Sequence, residues 1–157
     1  MRIVSISPLL LTLALSACDG QPTAPEAPAK FNGRCDTVLA PTLDISPGVV
    51  RQVDNGSCQL TPFGTTVFFS DKVLQLAAGT QSVDVRLTMA NGDVLRALGS
   101  GTSVVTSPGR VHFVATIKFT GGTGRFAGAT GEARAEGDSD LVGRLATLSM
   151  DGTVIFN

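Results

Sequence analysis

Apolar and polar residues alternate most clearly between Arg110 and Phe119. The odd-numbered positions are all apolar and would share one face: Val111, Phe113, Ala115, Ile117 and Phe119. His112, Thr116 and Lys118 fall on the opposite face. A repeat of two residues is typical of a strand with one buried face, whereas a helix would repeat every 3.6 residues. This segment therefore predicts a β-strand.

A hairpin is predicted between residues 82 and 98. The runs Ser82–Met89 and Asp93–Leu98 flank the tripeptide Ala90-Asn91-Gly92. Asn and Gly both tolerate the positive φ that a type I′ turn requires at its two central residues. The sequence thus predicts two antiparallel strands joined by a type I′ turn at Asn91-Gly92.

Two further segments near the C-terminus alternate in the same way. Ala133 and Ala135 alternate with charged residues between Gly131 and Gly137. The closing stretch keeps its apolar residues on one parity: Ala146, Leu148, Met150, Val154 and Phe156. A turn or bulge is expected there at Asp151-Gly152, because this dipeptide interrupts the apolar series.

The whole range 31–157 reads as one all-β domain. Short β-like runs separated by Gly, Asn, Asp and Pro suggest about eight to ten strands, which fits an antiparallel barrel or sandwich. No convincing helical stripe occurs in this range. A closed barrel of about eight strands is favoured, because closure removes the exposed edges that promote aggregation.

Residues 1–17 resemble the signal peptide of a bacterial lipoprotein. Arg2 precedes the apolar run Ile3–Leu15, which is shorter than the roughly 20 residues of a membrane-spanning helix. Leu15-Ser16-Ala17 then leads to Cys18, the residue that carries the lipid in such proteins. The alternative is an ordinary secretory signal that is cleaved after Ala17. The resemblance implies a lipid-anchored protein of the cell envelope on the periplasmic or outer side, with membrane and leaflet left open.

Residues 18–30 predict a tether between the lipidated cysteine and the domain. Pro22, Pro25 and Pro28 recur at intervals of three residues, and the segment has little apolar surface to bury. Such composition favours an extended, disordered chain.

The two remaining cysteines, Cys35 and Cys58, predict a disulfide. An even number of cysteines in an exported chain favours pairing, and the closed loop would have about 24 residues. Two separate buried thiols are the alternative. No metal site is expected, because two cysteines without a CxxC motif and the distant His112 do not complete a tetrahedral site.

Charge and composition exclude several classes of partner. The chain has 12 basic and 13 acidic residues, so no basic surface for nucleic acid is expected. Trp and Tyr are absent, which removes the aromatic platforms with a polar edge that sugar sites often use.

The most distinctive motif is the glycine-rich stretch from Thr120 to Gly131. Gly122, Gly124 and Ala127 match the GxGxxA pattern of dinucleotide sites, but no helix or parallel sheet is predicted to follow. No cofactor is therefore expected. The glycines instead favour tight turns at a barrel rim.

The segment GGTGRFAGATGEA resembles the allene oxide cyclase and dirigent family of β-barrels. The matching positions are the structural turn residues Gly121, Gly122, Gly124, Phe126, Gly128 and Gly131. The resemblance implies an eight-stranded barrel with an apolar interior, which is often oligomeric in plant members, and Phe126 is expected to point inward as a plug. The matching positions carry no acid, base or binding side chain, so no catalytic residue is assigned, and the oligomeric state is left open.

These observations leave three functional hypotheses. The first is a non-enzymatic, membrane-anchored barrel that binds a small apolar ligand or lipid. The second is a solid-cored envelope module that interacts through its surface, and the third is an isomerase or cyclase. Packed layers of large side chains inside the barrel would contradict the first, whereas a buried carboxylate or histidine with a hydrogen-bonded partner would favour the third. His112 is expected on the surface, and Asp138-Ser139-Asp140 is expected to form a polar turn rather than a calcium site.

Overall fold

The computed structural model describes residues 26–157, most of which lie in nine antiparallel strands. The strands are β1 (Ala29–Leu39), β2 (Leu43–Ser46), β3 (Val49–Thr61), β4 (Gly64–Gln75), β5 (Thr80–Met89), β6 (Val94–Ser107), β7 (Arg110–Gly122), β8 (Thr130–Asp140) and β9 (Leu145–Ile155). The predicted signal peptide, Cys18 and most of the tether lie outside the described residues. Within residues 26–157, no helix has the length and hydropathy to cross a membrane.

Eight of these strands close into a barrel. Neighbouring strands pair in the order β1-β9-β8-β7-β6-β5-β4-β3, and β1 pairs with β3 to complete the ring. The short strand β2 lies outside it and pairs with β3. The prediction of a closed antiparallel barrel is confirmed. Among the described residues, the eight strands of the ring enclose one apolar core, so we expect residues 26–157 to fold on their own.

The predicted hairpin between β5 and β6 is present, but its turn differs from the prediction. The Met89 N–H donates to the Asp93 carbonyl at 2.8 Å, and the Gly92 N–H donates to the Met89 carbonyl at 3.0 Å. Only Gly92 has a positive φ, of 89°. The loop therefore has three residues and ends on a left-handed glycine, which is a common hairpin geometry. Asn91 uses its side-chain oxygen to accept the Asp93 N–H instead of adopting a positive φ.

Strand β9 contains no turn at Asp151-Gly152, so that expectation is wrong. The pairing with β8 continues in register through Gly152, which lies opposite Ala133. A Cβ at Gly152 would lie 2.5 Å from the Cβ of Ala133 and 2.5 Å from the carbonyl oxygen of Glu132. The glycine thus serves close packing inside a continuous strand.

One end of the barrel, termed the closed end, is filled by phenylalanine rings. Phe126 is fully buried, and its ring centroid lies 5.8 Å from those of Phe63 and Phe156. Phe31 joins the same cluster at 5.5 Å from Phe63. The Arg125 guanidinium stacks over the Phe156 ring at 4.8 Å. Aromatic contacts of this kind stabilise a protein by more than the area they bury would predict. Because the rings pack against one another here, this end of the barrel has a solid core.

The predicted disulfide joins Cys35 on β1 to Cys58 on β3 across the seam that closes the barrel. The two residues are direct cross-strand partners, and both are buried. Because they are 23 positions apart, the bond restricts the unfolded chain substantially.

We expect the Cys35→Ala/Cys58→Ala double variant to lose about 3 kcal/mol of unfolding free energy, because its unfolded chain gains the entropy of an open loop. Urea unfolding of both proteins, with and without reductant, measures this difference. Reductant should lower the unfolding free energy of the wild type alone. An equal loss of unfolding free energy in both proteins would mean that the reductant does not act through this disulfide.

Candidate ligand-binding site

The other end of the barrel, termed the open end, is hollow. It encloses an outer chamber of about 180 Å³ that is open to solvent at its mouth. The surface of this chamber is mostly apolar, and its aliphatic lining residues are Val50, Leu74, Leu76, Val105, Val111 and Leu141. The barrel is therefore neither a uniformly solid core nor an empty tube, because buried side chains fill most of its interior and leave the outer chamber at the open end.

A smaller inner chamber of about 30 Å³ lies deeper in the barrel. Lys72, Gln81 and Phe113 line both chambers and so mark the boundary between them. A space of this size has room for about one or two water molecules. The interior thus narrows to a small, mostly apolar chamber, and the few polar residues in its wall, Asp54, Ser70, Lys72 and Gln81, are termed the floor.

The floor holds a buried ion pair between Lys72 on β4 and Asp54 on β3. The Lys72 Nζ lies 2.5 Å from the Asp54 Oδ2, and their side chains are only 8% and 4% exposed. The ammonium also lies 5.6 Å from the centre of the Phe113 ring, within range of a cation–π contact. Among the described residues that line the two chambers, these two alone are charged. Burial of such charges is costly unless they are paired.

Several polar groups beside this pair have hydrogen-bonding capacity to spare. Asp54 Oδ1 and Ser70 Oγ are buried and lack a protein partner, and both residues line the inner chamber. The Lys72 ammonium has three N–H donors. Within residues 26–157 it makes one hydrogen bond, which goes to Asp54. Unpaired buried polar atoms are uncommon in proteins. The floor can therefore offer both a donor and an acceptor to a polar group that enters the chamber.

Asp54 and Lys72 were not predicted from the sequence. Each shares the inward parity of its strand with apolar residues: Asp54 with Cys58 and Leu60, and Lys72 with Phe68 and Leu74. A charged residue on the apolar face of a strand is unusual, so its position in the alternating pattern could have identified each of the two residues. The enzyme hypothesis requires a buried carboxylate that is hydrogen-bonded to a partner. The Asp54–Lys72 pair meets this requirement.

The glycine-rich segment lies at the closed end, away from both chambers. A short 3₁₀ turn, Gly124–Phe126, directs the Phe126 side chain into the barrel. Gly121, Gly124, Gly128 and Gly131 have positive φ values between 58° and 117°. Gly122 does not, but a Cβ there would lie 1.8 Å from the Val94 carbonyl oxygen. The segment is therefore a structural plug, and it contributes nothing to the chambers.

His112 lies on the outer wall of the barrel. Its Nδ1 is 3.0 Å from Asp138 Oδ1, and its Nε2 is 3.4 Å from Glu136 Oε1. Within residues 26–157, no group of three or more His, Cys, Asp or Glu side chains could hold a metal ion.

Asp138, Ser139 and Asp140 do not form the expected polar turn, because they are the last three residues of strand β8. Asp140 instead organises the turn that follows, between β8 and β9 at the mouth of the outer chamber. Its Oδ1 accepts the N–H groups of Val142 and Gly143 at 3.1 and 2.9 Å. The hydrogen bond from the Gly143 N–H is the main reason that the pKa of this carboxyl is lowered, and the charge of Arg110 lowers it further. Asp140 thus fixes the turn that carries Leu141 and Val142.

Two solved structures match this chain over most of its length. The pterocarpan synthase dirigent protein PsPTS1 is 13% identical, with a TM-score of 0.54 and coverage of 85% of this chain and 97% of its own. The pterocarpan synthase dirigent protein GePTS1 is 18% identical, with a TM-score of 0.52 and coverage of 90% and 100%. No family model and no curated protein matches the chain. At these identities the likeness shows the fold: the chain is a dirigent-like β-barrel.

Proposed function

We propose that this protein is a membrane-tethered barrel that binds a small apolar ligand in its outer chamber. The observation that carries the proposal is the asymmetry of the interior, which is packed with rings at the closed end and hollow at the open end. Ligand sites in proteins are typically concave, mostly apolar and provided with a few polar groups that set orientation. The outer chamber and the Lys72–Asp54 floor have this composition.

The volume of the chamber limits the part of a ligand that it encloses. A dry cavity of about 150 Å³ accommodates benzene, and the outer chamber has about 180 Å³. One ring or a short aliphatic group therefore fits inside, while the rest of a larger molecule would extend through the mouth. A carbonyl, carboxylate or hydroxyl at the inner end would reach Lys72 or Asp54.

The test is native mass spectrometry of residues 26–157, expressed in a bacterial periplasm and purified without detergent. Fluorobenzene, followed by ¹⁹F NMR, serves as a size-matched probe if no molecule is retained. Ser139 is buried and lines the chamber, so Ser139→Phe should fill it and abolish binding. Ser149→Phe, on the exposed outer face of β9, is the matched control and should bind normally. Equal binding by both variants, or no binding by the wild type, would exclude this chamber as the site.

The membrane tether is a separate part of the proposal, which rests on the motif that ends at Cys18. If Cys18 carries the lipid, mass analysis of the mature N-terminal peptide will find acyl chains on that cysteine. Cys18→Ala should then move the protein out of the detergent phase. Continued detergent partitioning without acyl mass would contradict a lipid anchor.

A second candidate is acid–base catalysis on the bound molecule, and the Asp54–Lys72 pair is the observation that favours it. A buried carboxylate beside an ammonium can exchange a proton with a ligand held within hydrogen-bonding distance. Both structural neighbours carry the name pterocarpan synthase, and both share this fold. The Asp54→Asn variant distinguishes the two candidates. If the protein is a carrier, the wild type and the variant both release the cargo unchanged. If it is an enzyme, the wild type converts the cargo and Asp54→Asn loses that turnover.

A further inference from the structure

The floor of the two chambers carries no net charge. Its two charged members, Lys72 and Asp54, have opposite signs and form an ion pair at 2.5 Å. Within residues 26–157, no other charged side chain lines either chamber. A ligand that brings a charge to this depth would therefore find no unpaired counterion, and burial of a charge without a counterion is costly. The charge balance of the floor thus favours an uncharged ligand.

The floor has unused hydrogen-bonding capacity of both kinds. Three buried side-chain atoms within residues 26–157 lack a partner, and two of them, Asp54 Oδ1 and Ser70 Oγ, line the inner chamber. The Asp54 carboxylate can only accept hydrogen bonds. The Lys72 ammonium can only donate, and the described residues use one of its three N–H groups. An occupant that satisfies both members of the pair must therefore accept from Lys72 and donate to Asp54.

Few end groups of an organic molecule meet both conditions. A carboxylate only accepts and would lie beside the carboxylate of Asp54, whereas an ammonium only donates and would lie beside the ammonium of Lys72. A ketone or ether is neutral, but it only accepts and would leave Asp54 Oδ1 without a partner. A hydroxyl and a carboxamide are neutral and can do both. The inner chamber, at about 30 Å³, has room for the one or two polar atoms of either group.

We propose that the ligand of this barrel is an uncharged molecule with an apolar body and a hydroxyl or carboxamide end, which binds between Lys72 and Asp54. The Lys72 N–H groups donate to the oxygen of this end, and Asp54 Oδ1 accepts its O–H or N–H. The apolar body occupies the outer chamber, whose surface is mostly apolar. This inference rests on the proposed function, because it names the class of ligand that the same chamber takes. The ion pair thus selects among the polar ends that can reach it.

Water is the competing occupant of the inner chamber, because a water molecule also donates and accepts. A ligand group displaces an ordered water without loss of affinity only if it reproduces the hydrogen bonds of that water. A hydroxyl or a carboxamide can reproduce them, and a methyl group cannot. Comparison of these groups on one ring therefore measures the selection directly.

A matched series of para-substituted fluorobenzenes tests the proposal. The substituents are methyl, hydroxymethyl, carboxamide, carboxylate and aminomethyl, of which the last two are charged at neutral pH. Each compound is titrated into the wild-type protein, and binding is followed by ¹⁹F NMR. We expect the carboxylate and aminomethyl compounds to bind at least about tenfold more weakly than the better of the hydroxymethyl and carboxamide compounds. The order of those two compounds shows which of the two neutral ends the floor prefers.

The double variant Asp54→Val/Lys72→Met separates the contribution of the floor from the different hydration of the probes. The ratio of the affinity for the hydroxymethyl or carboxamide compound to that for the methyl compound should fall by about tenfold or more in this variant, because the hydrogen bonds to charged groups are lost. Arg51→Met/Asp71→Val removes the half-exposed pair on the outer face of the same two strands. This matched control should leave the ratio unchanged. The ranking of the probes on the wild type does not depend on the folding of any variant.

Two results would overturn the proposal: the same affinity ratio in the wild type and in Asp54→Val/Lys72→Met, or a charged probe that binds the wild type as tightly as both neutral polar probes. The methyl compound distinguishes this failure from failure of the proposed function. If the methyl compound binds the wild type and Ser139→Phe excludes it, the chamber is a ligand site and only selection by the floor is wrong. If none of the five probes binds, both proposals are wrong.

Discussion

Replacement of Phe126 by alanine should lower the unfolding free energy by about 3–5 kcal/mol, because it removes a large buried ring and leaves a cavity. Phe126 is fully buried between Phe63 and Phe156. Backbone hydrogen bonds hold the 3₁₀ turn that carries it, so we expect its neighbours to have little freedom to collapse into the space. Urea unfolding followed by far-UV circular dichroism measures the loss.

Phe69→Ala is the matched control for this prediction. Phe69 lies on the partly exposed outer face of β4, where the Arg86 guanidinium stacks on its ring at 4.8 Å. The same chemical change there leaves no enclosed cavity, so the loss should be much smaller than at Phe126. Similar losses for both variants would show that the closed end repacks and that Phe126 is not its plug.

The closed end could be predicted from sequence because its determinants are local. Glycines that adopt a positive φ, such as Gly124 and Gly128, occur in the sequence at a recognisable spacing around Phe126. Alternation along β7 likewise identified its buried residues, since a strand with one buried face repeats every two positions. Turn geometry was less accessible: Asn91 adopts a negative φ because its side chain accepts the Asp93 N–H, a choice that the dipeptide alone does not encode.

The hollow end could not be predicted, because it depends on side-chain sizes across several strands. Ser139 on β8, Ser103 on β6 and Gln81 on β5 come to line the same chamber only after the barrel has closed. The seam between β1 and β3 that closes it joins segments on either side of β2. Lys72 and Asp54 were detectable in principle by parity, but their pairing requires the register of β3 on β4.

The second large effect is expected at the buried ion pair. Lys72→Met leaves the Asp54 carboxylate buried without its partner, and Asp54→Val leaves the ammonium in the same condition. Loss of one partner of a buried pair typically destabilises by about 3–5 kcal/mol. Urea unfolding at neutral pH measures each variant. Arg51→Met, which breaks the half-exposed pair with Asp71 on the outer face of the same two strands, is the control and should cost far less.

The double variant Asp54→Val/Lys72→Met then shows why the pair is retained. Apolar replacements of a complete buried pair are often neutral or stabilising, since neither charge needs to be desolvated. We therefore expect the double variant to recover most of the stability lost by either single variant and, at the same time, to lose its selectivity for ligands with a polar inner end. A double variant as unstable as the single variants would mean that the pair stabilises the barrel itself, whereas losses that simply add would mean that the two side chains are not coupled. Recovery of stability with loss of binding would instead assign the pair to the ligand, because a stable barrel does not require charges at that depth.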